Sequence, residues 1–179
     1  MAGCKCGSIV YLIKMLESLL CFKHLSDESS ILNLLESSKD YFETIEGISP
    51  DINTACSILY HRPPGVNLSQ KNTVGIFYNQ IIIGLADMIF GYPKTHTVYI
   101  GLLLISPNYR KTGIGRISMR ELERHIVEQG YDTLRIAVVR SNAVVKEFWR
   151  KIGFIETGEV KEYRGTRIYS TCEIMEKTL

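Results

Sequence analysis

Apolar and polar positions switch repeatedly between a helical and a strand period along this chain. Val10, Ile13, Leu16 and Leu20 fall at helical spacing, which predicts an amphipathic helix or extension over Ile9 to Leu20. Leu20 to Leu25 reads as a short first strand. Ser26, Asp27 and Glu28 then mark a helix start, since a hydroxyl caps free N–H groups and acids suit the positive helix end. Ile31, Leu34 and Leu35 carry that helix towards Tyr41 and Phe42. Gly47 and Pro50 break the pattern, a second helix runs from about Asp51 to Tyr60, and Arg62-Pro63-Pro64-Gly65 closes it.

Beyond that loop the pattern is that of strands. Asn72 to Tyr78 and Gln80 to Phe90 are rich in Val, Ile and Phe, and Asn79 between them predicts a hairpin. Thr97 to Ile105 is another apolar strand, interrupted by Gly101, which suggests a bulge or a close backbone approach. The helical period returns from about Gly113 to Gln129, with Ile117, Leu122 and Ile126 on one side. Leu134 to Val139, almost unbroken in its apolar run, fits a central strand buried on both faces. A short helix over Asn142 to Lys151 follows, then strands Gly153 to Val160 and Arg167 to Met175 around Arg164-Gly165. No repeat, low-complexity tract or linker interrupts the order. The expectation is one α/β domain over residues 1–179 with a mixed sheet, residues 1–19 forming an extension or an extra helix.

Composition narrows the function classes. Lys+Arg 21 against Asp+Glu 19 gives a net charge of +2, too weak a field to hold nucleic acid or an anionic membrane by itself. The stretch Ser8 to Leu20 is too short for a membrane span and is broken by Lys14 and Glu17, so neither span nor signal peptide is expected. Five cysteines, an odd number in a chain of 179 residues, do not make a disulfide scaffold, and a reducing, cytoplasmic setting is the simpler expectation. Cys4-Lys5-Cys6 lacks a second Cys or His pair at ligand spacing, so no metal site is expected.

The most informative stretch runs from Leu102 to Arg116. An apolar strand stops at Ser106-Pro107, a loop with Gly113 and Gly115 follows, and a helix starts there. Free N–H groups and the helix dipole suit such a turn to a phosphate or pyrophosphate, with Arg110, Lys111 and Arg116 as counter-charge. A P-loop is excluded because Arg116-Ile117 stands where Lys-Ser/Thr is needed. A dinucleotide fingerprint has only Ser118 for its final small residue, and Arg140 ends the next strand where an acid is expected. That the glycines merely close a turn stays open on spacing alone.

The run Arg110-x-x-Gly113-x-Gly115 after Ser106-Pro107 resembles the acetyl-CoA pyrophosphate loop of the GNAT superfamily of N-acetyltransferases. Asn142-Ala143 followed by Phe148-Trp149-Arg150-Lys151-Ile152-Gly153-Phe154 resembles that superfamily's second signature. The resemblance spans Asn72 to Met175, with a weaker trace at Asp40-Tyr41-Phe42. It implies a mixed, mostly antiparallel sheet of six to seven strands, flanked by helices and splayed at the cofactor site. It also implies acetyl-CoA as donor, passing its acetyl group directly to a primary amine in a ternary complex. The loop Arg110, Lys111, Thr112, Gly113, Ile114, Gly115 and Arg116 would bind pyrophosphate. The backbone of Leu103, Leu104 and Ile105 would hold pantetheine, assisted by Asn142, with Trp149 walling the channel. Two departures stand out: Lys111 occupies a place where many relatives have Gly, and Trp149 one where many have a Tyr that protonates the departing thiolate.

Transfer to an amine needs a proton acceptor and a stabilised thiolate. Thr97 to Ile105 holds no acid. Asp87 interrupts the apolar run Ile81 to Phe90, where burial raises a carboxyl's pKa towards a useful range, although a strand acid can equally face solvent. Tyr41 is the favoured phenol, ahead of Tyr92 and Tyr163, and His96 is a weaker candidate. Asn142 can equally be an ordinary helix cap. None of the cysteines lies in either signature, so no covalent intermediate is expected. With no added domain or acidic groove evident, the expected acceptor is a small-molecule amine, with no nucleic-acid partner and a homodimer left open. A non-catalytic acyl-CoA-binding sensor is the alternative.

Overall fold

The computed structural model describes residues 19–179. Up to residue 18, the helix expected over Ile9 to Leu20 lies outside the described residues, as do Cys4 and Cys6; Leu20 itself opens the first strand. Among the described residues seven strands form one sheet: β1 (Leu20–His24), β2 (Lys71–Tyr78), β3 (Ile81–Phe90), β4 (Thr97–Ile105), β5 (Thr133–Val139), β6 (Ile155–Arg164) and β7 (Tyr169–Thr178). Their order across the sheet is β1-β2-β3-β4-β5-β7-β6, antiparallel throughout except between β4 and β5. The β2–β3 hairpin turns on Asn79 and Gln80, both at positive φ, the geometry that matches strand twist in a two-residue connection.

Five α-helices of the described residues flank the sheet: α1 (Glu28–Ser37), α2 (Lys39–Ile45), α3 (Ile52–Tyr60), α4 (Ile114–Glu128) and α5 (Ala143–Lys151). Asp27, within the expected start region, caps α1 by accepting from the Ser30 N–H at 2.7 Å. Ile31, Leu34, Leu35, Phe42, Ala55 and Leu59 from the first three helices bury against Leu85 and Leu104 on one face. On the other face Met119, Leu122, Ile126, Trp149 and Phe154 pack on Met88, Val98, Ile100, Leu134 and Ile136. Each such side chain contributes roughly 2 kcal/mol by leaving water, so both helical layers are firmly held to the sheet.

The largest departures from the sequence expectation lie in the first helix and the last two strands. The first helix does not continue through Tyr41 and Phe42: it bends at Ser38, dividing α1 from α2. The Ser37 hydroxyl donates to the Leu34 carbonyl at 2.7 Å and the Ser38 N–H to the Leu35 carbonyl at 2.9 Å, both i−3 bonds that compete with the regular ladder. Strand β6 starts at Ile155 because Gly153, at φ 100, still belongs to the end of α5, and it extends on to Arg164. Strand β7 begins two residues late, at Tyr169, and runs to Thr178, paired with β5 on its inner side.

Candidate active site

Strand β4 is paired with β5 only from Thr97 to Ile100, opposite Thr133 to Ile136. From Gly101 onward the two strands part while β4 stays paired with β3, so the β5-facing backbone edge of Leu102 to Ile105 carries no ladder. Gly101 marks the point of divergence. The β3–β4 register steps from Asp87↔Leu102 to Met88↔Ile100, leaving Gly101 as the extra residue of a bulge. Between the parted strands opens a cleft of about 880 Å³, walled by α2 on one side and by the start of α4 and α5 on the other.

At one end of this cleft the chain leaves β4 and enters α4 through the glycine loop. Gly113 is the N-cap at φ 91, a left-handed conformation that glycine adopts without a Cβ penalty, and a Cβ placed there would meet nothing within 4 Å. The Ile117 N–H returns to the Gly113 carbonyl at 3.1 Å; the preceding N–H groups of Ile114, Gly115 and Arg116 have no acceptor in their own helix. These groups, open space over Gly113 and the exposed side chains of Lys111 and Arg116 fit a pyrophosphate. Lys111 also adopts positive φ, 62°, so its difference from glycine falls where the backbone is strained. Thr112 braces the loop by donating to the Tyr109 carbonyl at 2.6 Å.

The Arg110 guanidinium has other partners. Its Nε donates to the Ile105 carbonyl at 2.8 Å, and its two terminal nitrogens grip both Asp40 oxygens at 2.5 and 3.2 Å. Hydrogen bonding to Arg110 first, and its charge as well, hold the Asp40 carboxyl below the usual range. Arg110 thus straps the end of β4 to α2, whose Tyr41, Thr44 and Ile45 line the same cleft.

The remaining sequence candidates are placed as follows. The backbone of Leu103, Leu104 and Ile105 lines the cleft, while the Leu104 side chain belongs to the core. Asn142 is the N-cap of α5 in position, but its side chain makes no capping hydrogen bond and faces the cleft instead. Trp149 is 6% exposed, packs edge-on against Phe148 and Phe154 in the core, and also lines the cleft. Tyr41 lines the cleft, and burial first, then Glu46, pushes its phenol up to about 12. Tyr163 donates to Glu46, outside the cleft lining. Tyr92 lies edge-on to Tyr99, and His96 is an exposed loop residue.

Asp87 is not on a solvent face. It lies beneath α3, and its Oδ1 accepts from Lys71 Nζ at 2.6 Å and from the Thr73 hydroxyl at 3.4 Å. Its Oδ2 points at Gly101: a Cβ there would stand 3.0 Å from that oxygen. The carboxylate therefore fills, from β3, the space that a β4 side chain would occupy; it lies behind Gly101, which lines the cleft, and is not itself part of the lining. Burial raises its pKa, opposed by Lys71, Thr73 and His61. Lys71, Thr73 and Asp40 were not legible as site residues, because cross-strand register and a contact across 70 residues set their places.

Among the described residues no helix is long and apolar enough to cross a membrane, and no group of three or more His, Cys, Asp or Glu gathers at metal-binding distance. Comparison with known proteins returned a family model described as Acetyltransferase (GNAT) family, matching residues 32–154. A search of the curated proteins gave no match. Among solved structures, an acetyltransferase from Thermus thermophilus superposes with a TM-score of 0.70 at 20% identity, over 89% of this chain and 97% of that one. The ribosomal-protein-S18-alanine N-acetyltransferase from Escherichia coli gives 0.64 at 16%, over 89% and 93%. PaiA N-acetyltransferase from Thermoplasma acidophilum, solved in complex with coenzyme A, gives 0.62 at 20%, over 89% and 99%.

Proposed function

We propose, for a chain that belongs to the GNAT acetyltransferase family, that it moves the acetyl group of acetyl-CoA directly onto a primary amine, and that the amine is carried by a small molecule. The observation that carries this reading is the parting of β4 from β5 at Gly101, which opens one cleft from the anion cradle at the head of α4 to Gly101, with a buried carboxylate directly behind that glycine. Acetyl-CoA supplies a thioester. Its pyrophosphate fits the N–H groups of Ile114, Gly115 and Arg116 with Lys111 and Arg116 beside them, and its pantetheine fits the unpaired edge of Leu103 to Ile105.

The amine enters from the α2 side and meets the thioester at Gly101. Its nitrogen forms a bond to the carbonyl carbon, the C–S bond breaks, and the sulfur leaves with the electron pair. Before that attack the acceptor, which arrives as an ammonium, gives one proton to Asp87 Oδ2, directly or through water, for release to solvent; after it a second nitrogen proton neutralises the thiolate and the amide keeps its N–H. Tyr41, held at about 12, keeps its own proton and donates a hydrogen bond instead. No cysteine enters the scheme: among the described residues Cys21, Cys56 and Cys172 all lie outside the cleft lining.

The test is incubation with acetyl-CoA and a panel holding both small primary amines and short peptides with free N-termini, read by mass spectrometry. Acetylation of small amines is expected. Acetylation of peptides alone would contradict the small-molecule acceptor, which the ribosomal-protein name of the Escherichia coli neighbour makes the pertinent contrast.

Asn142 gives a second check. A side chain that caps no helix yet faces the cleft belongs to the ligand, so Asn142→Ala is expected to weaken acetyl-CoA binding by about 1 kcal/mol, the size of one hydrogen bond, with the melting temperature almost unchanged. A melting temperature that falls while the dissociation constant stays put would return Asn142 to a structural role.

A further inference from the structure

Lys71 is the first residue of β2, and its side chain is only 3% exposed, an unusual place for an ammonium. What holds it there is the Asp87 carboxylate at 2.6 Å, itself 13% exposed at the side chain. A buried pair of this kind rarely adds net stability over an apolar pair of the same volume, because both ions lose their hydration. The geometry shows a different consequence. Lys71 and Thr73, both on β2, occupy one oxygen of Asp87 and leave the other turned towards Gly101, the bulge residue, which has no side chain to block it.

We propose that Lys71 is a positioning residue for acetyl transfer: its ammonium fixes Oδ1 of Asp87 so that Oδ2 stands at Gly101, and its charge keeps that carboxylate ionised inside the protein. This rests on Asp87 being the proton acceptor. The groups facing Asp87 are Lys71 from β2, His61 beyond the end of α3, and Tyr99 from β4. Tyr99 carries no charge at neutral pH, since burial first of all holds its phenol up at about 12. His61, where protonated, acts in the same direction as Lys71, and of these three Lys71 alone is in direct contact.

A base works in its deprotonated form, so turnover falls as pH drops through its pKa. Removing the neighbouring positive charge disfavours the carboxylate, raises that pKa, and moves the acidic limb to higher pH. Lys71→Met is therefore expected to cut kcat about tenfold near neutrality and to shift the acidic limb upward by about one pH unit or more, with acetyl-CoA affinity unchanged. Lys71→Arg, which keeps the charge, should restore most of the wild-type limb. In an Asp87→Asn background Lys71→Met should change kcat no further.

A limb that stays in place in Lys71→Met, or an equal further loss in the Asp87→Asn background, would overturn the positioning role. If Asp87→Asn alone leaves turnover and limb intact, the failure lies with the base assignment. A readout that needs neither variant turnover nor a folded Lys71→Met is the carbon-13 titration of the Asp87 carboxyl in the wild-type protein. The carboxyl should be ionised at neutral pH, and one found protonated there overturns the proposal.

Discussion

Asp87→Asn is expected to lower turnover by about a hundredfold or more, the usual contribution of a positioned general base, while leaving acetyl-CoA affinity near the wild-type value. The carboxylate lies against Gly101, away from the anion cradle, so the loss should appear in kcat and not in the donor's dissociation constant. Burial raises the Asp87 pKa, which places the acidic limb of the wild-type profile above the ordinary carboxylate range; in Asp87→Asn that limb should vanish. The substitution also strips the buried Lys71 ammonium of its partner, an effect on the order of 3 kcal/mol in stability. Turnover must therefore be measured well below the lowered melting temperature. Turnover and pH dependence both close to wild type would move the proton-accepting role to water held by backbone carbonyls near Tyr41.

Gly113→Glu is the second large effect. The new side chain would enter open space at the head of α4 and bring a negative charge where the pyrophosphate is placed, a repulsion of about 4 kcal/mol at close range and intermediate dielectric. Acetyl-CoA affinity is expected to fall at least a hundredfold. The left-handed backbone at φ 91 adds a separate penalty of about 1 to 2 kcal/mol in stability for any residue with a Cβ. Gly113→Ala isolates that penalty: it should lower the melting temperature to a similar degree and retain most of the affinity. Calorimetric titration of both variants separates charge from strain, and unchanged affinity in Gly113→Glu would remove the pyrophosphate from this loop.

Local features were legible in the amino-acid sequence where local chemistry decides them. Strand β4 has the expected bounds, Thr97 to Ile105, because its apolar run is closed by Pro107. The bulge at Gly101, the loop that starts α4, and the N-cap position of Asn142 follow from residue types that tolerate few other backbone states. The division of α1 from α2 was hidden, because the apolar period runs on through Ser38 and two serine-linked i−3 bonds interrupt the helix without disturbing it. Whether Asp87 faced solvent or core was equally hidden. A strand residue's face depends on register, and here a bulge in the neighbouring strand completes the answer. The guanidinium of Arg110 illustrates the same limit: expected to meet phosphate, it is taken by Asp40 from a helix 70 residues away.

On the proposed reading this cleft performs transfer, beyond holding an acyl-CoA. Its most direct measurement is thiol release from acetyl-CoA, followed with and without small primary amines, with the acetylated amine quantified in the same samples. Amine-dependent release is expected, with one N-acetylated product for each thiol freed and loss of both in Asp87→Asn. Tight acetyl-CoA binding with no release above background for any amine would contradict that reading and identify a binding module that senses acyl-CoA.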